Sequence, residues 1–360
     1  MNDTRNDWTK SEIIDLYNLP LMDLLYNAAT IHRQYHDPNT VQVSTLISIK
    51  TGGCSEDCGY CPQAARYHTN IEGNDLLSVQ QVKALALRAK SSGSSRICMG
   101  AAWRNVKDGE DFDQVLEMVR TINKLDMEVC CTLGMITENQ AKRLSEAGLY
   151  AYNHNLDTSE EYYKEVISTR GYKDRLKTIE NVRKTNVTVC SGGIIGMGES
   201  VEDRCGMLAT LASLNPQPES VPINALVAVE GTPLEDQQPV EIWEIIRMVA
   251  ATRIVMPLTQ VRLSAGRKDM SREGQALCFF AGANSIFAGD KLLTTPNPNV
   301  VDDIKLFEKL GLKSQKPFAK KAQPKTVEAE ASAYPPLGEK PRWSRPGHTI
   351  EKNLKAEKKR

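Results

Sequence analysis

The sequence predicts an α/β protein in which eight parallel strands alternate with helices and close into a (β/α)8 barrel of the TIM type. Strand-like and helix-like segments alternate along most of the 360 residues, which indicates βαβ units and a parallel sheet. The alternation contains eight such units, the number that closes a barrel. One barrel also accommodates a chain of this length. An open doubly wound sheet is the competing architecture.

The first predicted region, residues 1–38, is a helical extension ahead of the barrel. Helical patterns run over Trp8–Tyr17 and Leu21–Tyr35, and these helices would suit a plug across the barrel's lower face. The N-terminus lacks the charged-then-apolar order of a signal peptide, and no apolar run suggests a membrane span. Nine cysteines, an odd number without an export signal, indicate reduced thiols and a cytoplasmic location.

Residues 39–312 contain the predicted barrel. The strands are expected at Val41–Ile49, Ser95–Ala101, Glu128–Leu133, Tyr150–Leu156, Val187–Gly192, Ser220–Val227, Thr259–Ser264 and Asn284–Ala288. The helices are expected at Ser78–Ser91, Phe112–Leu125, Thr137–Ala147, Tyr172–Lys184, Val201–Leu214, Pro239–Val255, Met270–Ala281 and Val300–Leu310. Capping residues open several of these helices, since each precedes a periodic segment: Ser78, Thr137, Ser200 and Asp269.

The loop after the first strand carries three cysteines in eight residues, spaced as Cys54-x3-Cys58-x2-Cys61. A structural zinc site takes four ligands, and His68 is the only local candidate for the fourth. The alternative is a [4Fe–4S] cluster held by three thiolates, with the fourth iron open to a small molecule. Gly52, Gly53 and Gly59 would let the backbone wrap around such a group.

This cysteine loop resembles the signature of the radical S-adenosylmethionine superfamily. In that superfamily the open iron chelates S-adenosylmethionine, and one electron from the cluster releases a 5′-deoxyadenosyl radical. The cofactor supplies this chemistry and the protein positions it. The resemblance implies that Cys54, Cys58 and Cys61 hold the [4Fe–4S] cluster. It also implies that Tyr60 lies against the adenine.

Three further cysteines and one arginine fall on predicted strands. Cys98, Cys130 and Cys190 lie on the second, third and fifth strands, and Arg262 lies on the seventh. Alternate side chains of barrel strands point inward, so residues distant in sequence can converge there. Each cysteine alone also fits a small buried apolar residue. An unpaired buried arginine is costly, so three thiols with a cation suggest a second, anionic cluster.

These residues resemble the biotin synthase family, and the resemblance covers about residues 8–312. Its motifs are Tyr152-Asn-His-Asn-Leu-Asp-Thr158, Cys190-Ser-Gly-Gly-Ile-Ile-Gly-Met-Gly-Glu199, Glu219-Ser-Val-Pro-Ile-Asn224, Ala281-Gly-Ala-Asn-Ser285 and Lys291-Leu-Leu-Thr-Thr-Pro-Asn-Pro298. The resemblance implies a [2Fe–2S] cluster with Cys98, Cys130, Cys190 and Arg262 as ligands. Successive strand side chains point to opposite faces, so only one of the neighbours Cys130 and Cys131 can face inward. The resemblance selects Cys130.

Polar residues at the strand ends suggest binding roles. Asn153, Asn155 and Asp157 alternate along the predicted fourth strand, so they would point the same way. The resemblance assigns Asn155 and Asp157 to the ribose of S-adenosylmethionine. Amides offer both a donor and an acceptor, so Asn153 and Asn224 would suit a neutral cyclic urea. The resemblance also implies that two threonines after the eighth strand, Thr294 and Thr295, receive the substrate's carboxylate.

The resemblance implies a sulfurtransferase that inserts sulfur between C6 and C9 of dethiobiotin to form biotin. Its cofactors would be the two clusters and S-adenosylmethionine, with the [2Fe–2S] cluster as sulfur donor. It further implies a homodimer and a flavodoxin-type electron donor. Two alternatives are another radical S-adenosylmethionine enzyme, such as a metal-cofactor maturase, and a non-catalytic iron–sulfur protein. The asparagine and aspartate residues argue against a simple carrier, which needs no ribose site.

The last predicted region, residues 313–360, is a disordered basic tail. It carries 13 Lys and Arg against 5 Asp and Glu, and it lacks the apolar periodicity needed to offset the entropy of ordering. The charge would also suit an anionic surface, but a solvated tail is the simpler interpretation. We expect no nucleic-acid partner. The family resemblance does not extend to this region.

Overall fold

A closed barrel of parallel strands forms the centre of the molecule. The computed structural model describes residues 4–319. The strands are β1 Thr40–Lys50, β2 Arg96–Ala101, β3 Glu128–Thr132, β4 Ala151–Asn153, β5 Thr188–Cys190, β6 Gly193–Ile195, β7 Ser220–Ala225, β8 Gln260–Leu263, β9 Ser285–Ala288 and β10 Lys313–Ser314. Strand β1 pairs in parallel with both β2 and β9. This pairing closes the sheet, so the open doubly wound alternative is excluded.

The fifth barrel strand is interrupted. Both β5 and β6 pair with β7, so together they form one strand of an eight-stranded barrel, as the sequence predicted. The break includes Gly192, where a β-carbon would collide with the backbone of Pro222. Only glycine lets the chain pass so close to the neighbouring strand.

Helices surround the barrel at nearly all the predicted positions. They are α1 Lys10–Tyr17, α2 Leu21–Tyr35, α3 Val79–Ser91, α4 Glu110–Asn123, α5 Glu138–Glu146, α6 Tyr163–Val166, α7 Tyr172–Arg183, α8 Val201–Ala212, α9 Ile242–Val255, α10 Arg272–Phe280 and α11 Val300–Leu310. Ser78, Thr137 and Ser200 cap their helices as predicted. The prediction that Asp269 caps α10 is wrong. Asp269 ends a short 3-10 turn, and Ser271 caps α10 instead.

The N-terminal helices pack outside the barrel. Helix α1 lies against α8 and α9, and α2 lies against α9. Arg247 of α9 donates hydrogen bonds to the carbonyls of Tyr17 and Leu19, each at 2.8 Å, and so fixes the turn between them. These contacts differ from the expected plug across the lower face. Within residues 4–319, no helix is long and apolar enough to cross a membrane.

The chain after α11 returns to the lower end of the barrel. Lys313 pairs with Thr40 through β10, and the backbone N–H of Phe318 donates to Glu128 at 2.7 Å. The Phe318 ring also packs edge-on against Tyr150. The first residues of the predicted tail therefore lie on the barrel. Residues 320–360, for which the sequence predicts disorder, lie outside the described residues.

Candidate active site

A cavity of about 320 Å³ lies at the carboxyl ends of the strands. Active sites of (β/α)8 barrels lie at this end. The predicted site residues that line the cavity are Cys54, Cys58, Tyr60, Cys61, Cys98, Cys130, Asn153, Asn155, Asp157, Asn224, Arg262, Thr294 and Thr295. Cys190 lies beside Asn153 and Arg262, within contact of both. The fold therefore brings together residues that the sequence distributes over the whole barrel.

The loop that carries the first three cysteines folds back on itself. The N–H of Cys54 donates to Gln63 at 3.0 Å, and the N–H of Cys61 donates to the carbonyl of Cys58 at 2.9 Å. Burial raises the pKa of the Cys58 thiol to about 11 and that of Cys61 to about 12. Both thiols are therefore protonated at neutral pH, and they become thiolates when a cationic metal centre displaces the protons. Three sulfur donors facing one cavity fit an iron–sulfur cluster.

An acidic residue in the middle of the cysteine loop attaches it to the barrel. The carboxylate of Asp57 accepts hydrogen bonds from the backbone N–H groups of Ser168 and Thr169, at 3.0 and 3.1 Å, and from both hydroxyls. The N–H of Gly59 donates to Val166 at 2.9 Å. The loop is thus fixed against the segment that follows α6, which sequence reasoning did not foresee.

The neighbouring carboxylate is surrounded by arginines. Glu56 is buried, with Arg104 at 3.4 Å and Arg170 at 3.8 Å. Arg170 lines the cavity and is itself largely buried. Sequence reasoning missed both arginines, because no local pattern links them to the cysteine loop.

The second group of cysteines is buried inside the barrel. Cys98 pairs in register with Cys130, and Cys190 pairs with Asn153. The side chains of Cys98, Cys130 and Cys190 form one buried cluster. The hydrogen bond with Cys130 and the nearby Arg262 together lower the pKa of the Cys190 thiol to about 6, against the effect of burial. A thiolate at neutral pH is the form that binds metal.

Arg262 is held beside these cysteines by neutral groups. Its Nε donates to Ser285 at 2.9 Å and one terminal nitrogen donates to Gln42 at 3.0 Å. The other terminal nitrogen lies 3.8 Å from the Cys190 sulfur, and the guanidinium stacks on Phe287. None of these contacts is a carboxylate, so the buried positive charge remains available to an anionic group. This environment fits the predicted anionic cluster.

The adjacent cysteines of β3 point to opposite faces. Cys130 belongs to the interior cluster with Cys98 and Cys190. Cys131 packs instead in the large apolar core, where burial raises the pKa of its thiol. The structure therefore has the strand register that the family resemblance selected.

The residues proposed for the ribose do not share a strand. Strand β4 ends at Asn153, so the prediction that Asn155 and Asp157 continue it is wrong. Asp157 has a positive φ of 70° and its backbone pairs with Gly193. Its carboxylate accepts a hydrogen bond of 2.7 Å from the Tyr60 hydroxyl and forms an ion pair with Arg175. All of these polar side chains still face the same cavity.

The residues proposed for the substrate lie between the two cysteine groups. The Asn153 amide donates to Asn155 at 3.0 Å and to the Cys190 sulfur at 3.3 Å. Asn224 donates to the Gly193 carbonyl at 2.9 Å and accepts from Ala265 at 3.1 Å. Two amides are thus held in fixed orientations by neighbouring strands.

An ionic layer beneath the interior cysteines was also missed. Arg96 is fully buried and binds Glu128 at 2.7 Å and Glu219 at 2.9 Å. Arg96 and Glu128 precede Cys98 and Cys130 by two residues each. Because strand side chains alternate, this spacing placed the charges on the same face as the thiols. The sequence could have indicated this ion pair, since Arg96 and Glu128 carry opposite charges and each lies two residues before an interior cysteine.

The geometry does not match a four-ligand zinc site. Among residues 4–319, no three His, Cys, Asp or Glu side chains meet closely enough to hold a single metal ion. His68, the candidate fourth ligand, is not buried and is not among the residues that line the cavity.

Comparisons with known proteins show which families this chain resembles. Residues 48–211 match the family model of the Radical SAM superfamily, and residues 222–313 match that of the Biotin and Thiamin Synthesis associated domain. The biotin synthase of Flavobacterium johnsoniae is 81% identical over 353 residues, which cover 98% of this chain and 97% of that protein. The biotin synthase of Cytophaga hutchinsonii is 62% identical, covering 90% of this chain and 96% of that protein.

Solved structures share the fold at low sequence identity. Methylornithine synthase superposes with a TM-score of 0.72 at 18% identity, covering 86% of this chain and 94% of that one. The FeFe-hydrogenase maturase HydG from Carboxydothermus hydrogenoformans gives a TM-score of 0.72 at 15% identity, covering 85% and 76%. The match to Flavobacterium johnsoniae spans nearly the whole chain, so it extends into residues 320–360.

Proposed function

This chain belongs to the biotin synthase family, and from that premise we propose how its own residues serve the reaction. It is an enzyme that inserts sulfur into dethiobiotin, between C6 and C9, to form biotin. It uses a [4Fe–4S] cluster and S-adenosylmethionine. Bound together, these groups supply the radical needed to break C–H bonds that no general base can deprotonate.

We assign Cys54, Cys58 and Cys61 to the [4Fe–4S] cluster. Their loop offers three donors and leaves room for a fourth, non-protein ligand. Asp57 keeps the loop rigid through its hydrogen bonds to the segment at Ser168. Because the loop is already ordered, the binding energy of the cluster and its ligand can be used to orient them and is not spent on ordering the loop.

We assign Cys98, Cys130, Cys190 and Arg262 to a [2Fe–2S] cluster that donates the sulfur atom. The observation that carries this assignment is the convergence of four residues from four strands at the base of the active-site cavity. The neutral contacts of Arg262 leave its charge free to balance the thiolates.

Polar groups between the two cysteine sets bind the organic molecules. Asn155 and Asp157 receive the ribose of S-adenosylmethionine, and Tyr60 lies against its adenine. The Tyr60 hydroxyl and Arg175 both bind Oδ2 of Asp157, which leaves Oδ1 to accept a ribose hydroxyl.

The amides Asn153 and Asn224 face the ureido ring of dethiobiotin. Thr294 and Thr295 follow β9 at the rim of the cavity, and their hydroxyls bind the substrate's carboxylate. The ring is thereby placed between the two cysteine groups, and the acid chain points toward the rim. The surrounding apolar side chains keep water from the reacting carbons.

Iron and sulfide analysis of the anaerobically reconstituted protein tests the assignment. Two clusters of these types require about six irons per chain, and four or fewer would contradict the second cluster. Formation of biotin from dethiobiotin, S-adenosylmethionine and a reductant completes the test. A metal-cofactor maturase would need the loop cysteines but has no use for the four interior residues.

We further propose that the enzyme is a cytoplasmic homodimer reduced by a flavodoxin-type protein. The nine cysteines are all free thiols within residues 4–319, as is usual in a reducing compartment. Light scattering of the purified protein measures the mass, for which a dimer is twice 40.0 kDa. A monomeric mass at working concentrations would contradict the dimer.

A further inference from the structure

A leucine fills the interior position above Cys98. Arg96, Cys98 and Gly100 alternate along β2, so Gly100 faces the barrel interior one step nearer the rim than Cys98. A β-carbon on Gly100 would lie 2.7 Å from one Leu293 methyl and 3.3 Å from the other. Leu293 therefore occupies the space that a side chain at position 100 would take.

The loop that carries Leu293 is tied to the end of β9. The Asn297 side chain donates to the carbonyls of Phe287 and Gly289, at 3.0 and 2.8 Å. Within the loop, the Leu292 N–H donates to the Thr295 carbonyl at 2.9 Å. The position of Leu293 is thus fixed relative to the two threonines proposed to bind the carboxylate.

A second cavity of about 740 Å³ adjoins the first. It lies between β1, α3 and the Leu293 loop, and two cations, Arg88 and Lys291, line it. The two cavities share four lining residues, Leu46, Leu292, Leu293 and Thr294. These residues form the wall between the active site and the second cavity.

We propose that Leu293, seated on Gly100, sets the length of the acid chain that the enzyme accepts by closing the active site off from the second cavity. The inference rests on the proposed placement of the carboxylate at Thr294 and Thr295. The added methylenes of a longer acid chain would collide with Leu293. Leu293 packs against Gly100, so it cannot move away in that direction. Without the leucine side chain, the acid could extend into the second cavity toward Arg88 and Lys291.

The test compares dethiobiotin with a homologue whose acid chain has two more methylenes. One methylene in an apolar pocket changes kcat/KM by about 10- to 200-fold. In Leu293→Ala, the ratio of kcat/KM for the homologue to that for dethiobiotin should rise at least about 10-fold over the native enzyme. Equilibrium dialysis of both acids on the reconstituted enzyme should show the same change in relative affinity.

Two further variants make the test specific. Gly100→Ala alone should weaken binding of both acids, because its methyl collides with Leu293. The double variant Gly100→Ala with Leu293→Ala should lose part of the gain seen for the homologue, because the new methyl refills the space. Leu87→Ala, on the exposed face of α3, is the matched control and should keep the native ratio.

An unchanged ratio in Leu293→Ala, in protein with native iron content and melting temperature, would overturn the proposal. Thr294→Ala and Thr295→Ala separate this failure from that of the carboxylate site. A raised KM for dethiobiotin in these two variants means that the carboxylate site stands whatever Leu293 does. Native KM values in both variants would instead refute the carboxylate placement.

Discussion

The two cysteine groups meet at one cavity but are held in opposite ways. Cys54, Cys58 and Cys61 lie in one loop of eight residues, whose shape depends on short-range backbone hydrogen bonds and on Asp57. Cys98, Cys130 and Cys190 come from three strands, and only sheet register aligns them. The loop site is therefore a local structure placed on the barrel, whereas the interior site exists only if the barrel closes.

The charges around the two groups also differ. The loop group lies beside two carboxylates and the arginines that pair with them, at the solvent-facing end of the barrel. The interior group lies above the buried layer formed by Arg96, Glu128 and Glu219, and beside Arg262. Buried charges cost stability when a partner is lost, so changes near the interior group should affect folding as well as chemistry.

We expect the largest effect from a substitution that removes one cysteine of the loop group and leaves the interior group intact. Cys58→Ala should abolish the reductive cleavage of S-adenosylmethionine, because the loop has no spare thiol. Assay of 5′-deoxyadenosine formation measures this loss, and the iron of the interior cluster should remain. Cys205→Ala, a buried packing residue of α8, serves as the control with normal cleavage. Native cleavage in the Cys58 variant would refute the role of the loop.

The second prediction compares substitutions of two adjacent cysteines, of which only one belongs to the interior group. Cys130→Ala should lose the [2Fe–2S] absorbance and biotin formation while the [4Fe–4S] cluster remains. Cys131→Ala should keep both clusters and make biotin, at a packing cost of about 1 kcal/mol. Visible absorbance and biotin assay distinguish the two variants. The reverse pair of phenotypes would mean that the ligand assignment on β3 is wrong by one residue.

The third prediction concerns the charges beneath the interior group. Arg96→Met leaves Glu128 and Glu219 without their cation, and breaking a buried pair in this way costs about 3 to 5 kcal/mol. Denaturant unfolding measures the loss. The triple variant Arg96→Met, Glu128→Gln, Glu219→Gln should recover part of it, since no uncompensated charge remains. An Arg96→Met variant with native stability would show that the layer contributes little.

We expect the smallest effect from a substitution at Asp57, which should distinguish the loop cluster from the interior cluster. Asp57→Ala removes the acceptor for the N–H groups of Ser168 and Thr169, which should cost about 1 to 3 kcal/mol. A chelator should extract iron from the loop cluster faster than in the native protein, while the interior cluster is lost at the native rate. Asp113→Ala, which breaks an exposed ion pair on α4, should change stability by about 1 kcal/mol or less. Equal acceleration at both clusters would mean that Asp57 acts on the whole barrel.

The sequence predicted the barrel because its signals are local. Alternating strand and helix patterns and the capping residues Ser78, Thr137 and Ser200 depend only on neighbouring residues. The same signals failed where long-range geometry overrides them. Strand β4 ends at Asn153, and Asp157 has a positive φ and pairs with Gly193. No local pattern in the sequence indicates this contact.

The sequence alone predicts the loop site, since the spacing of Cys54, Cys58 and Cys61 places three sulfur donors in one loop. The interior group and its surroundings were decided by tertiary structure. Closure of the sheet brings Cys190 next to Arg262, 72 residues away, and seats Leu293 on Gly100. The physical reason is that barrel register is a property of all eight strands together, so which residues meet inside follows from the closed sheet and not from any segment by itself.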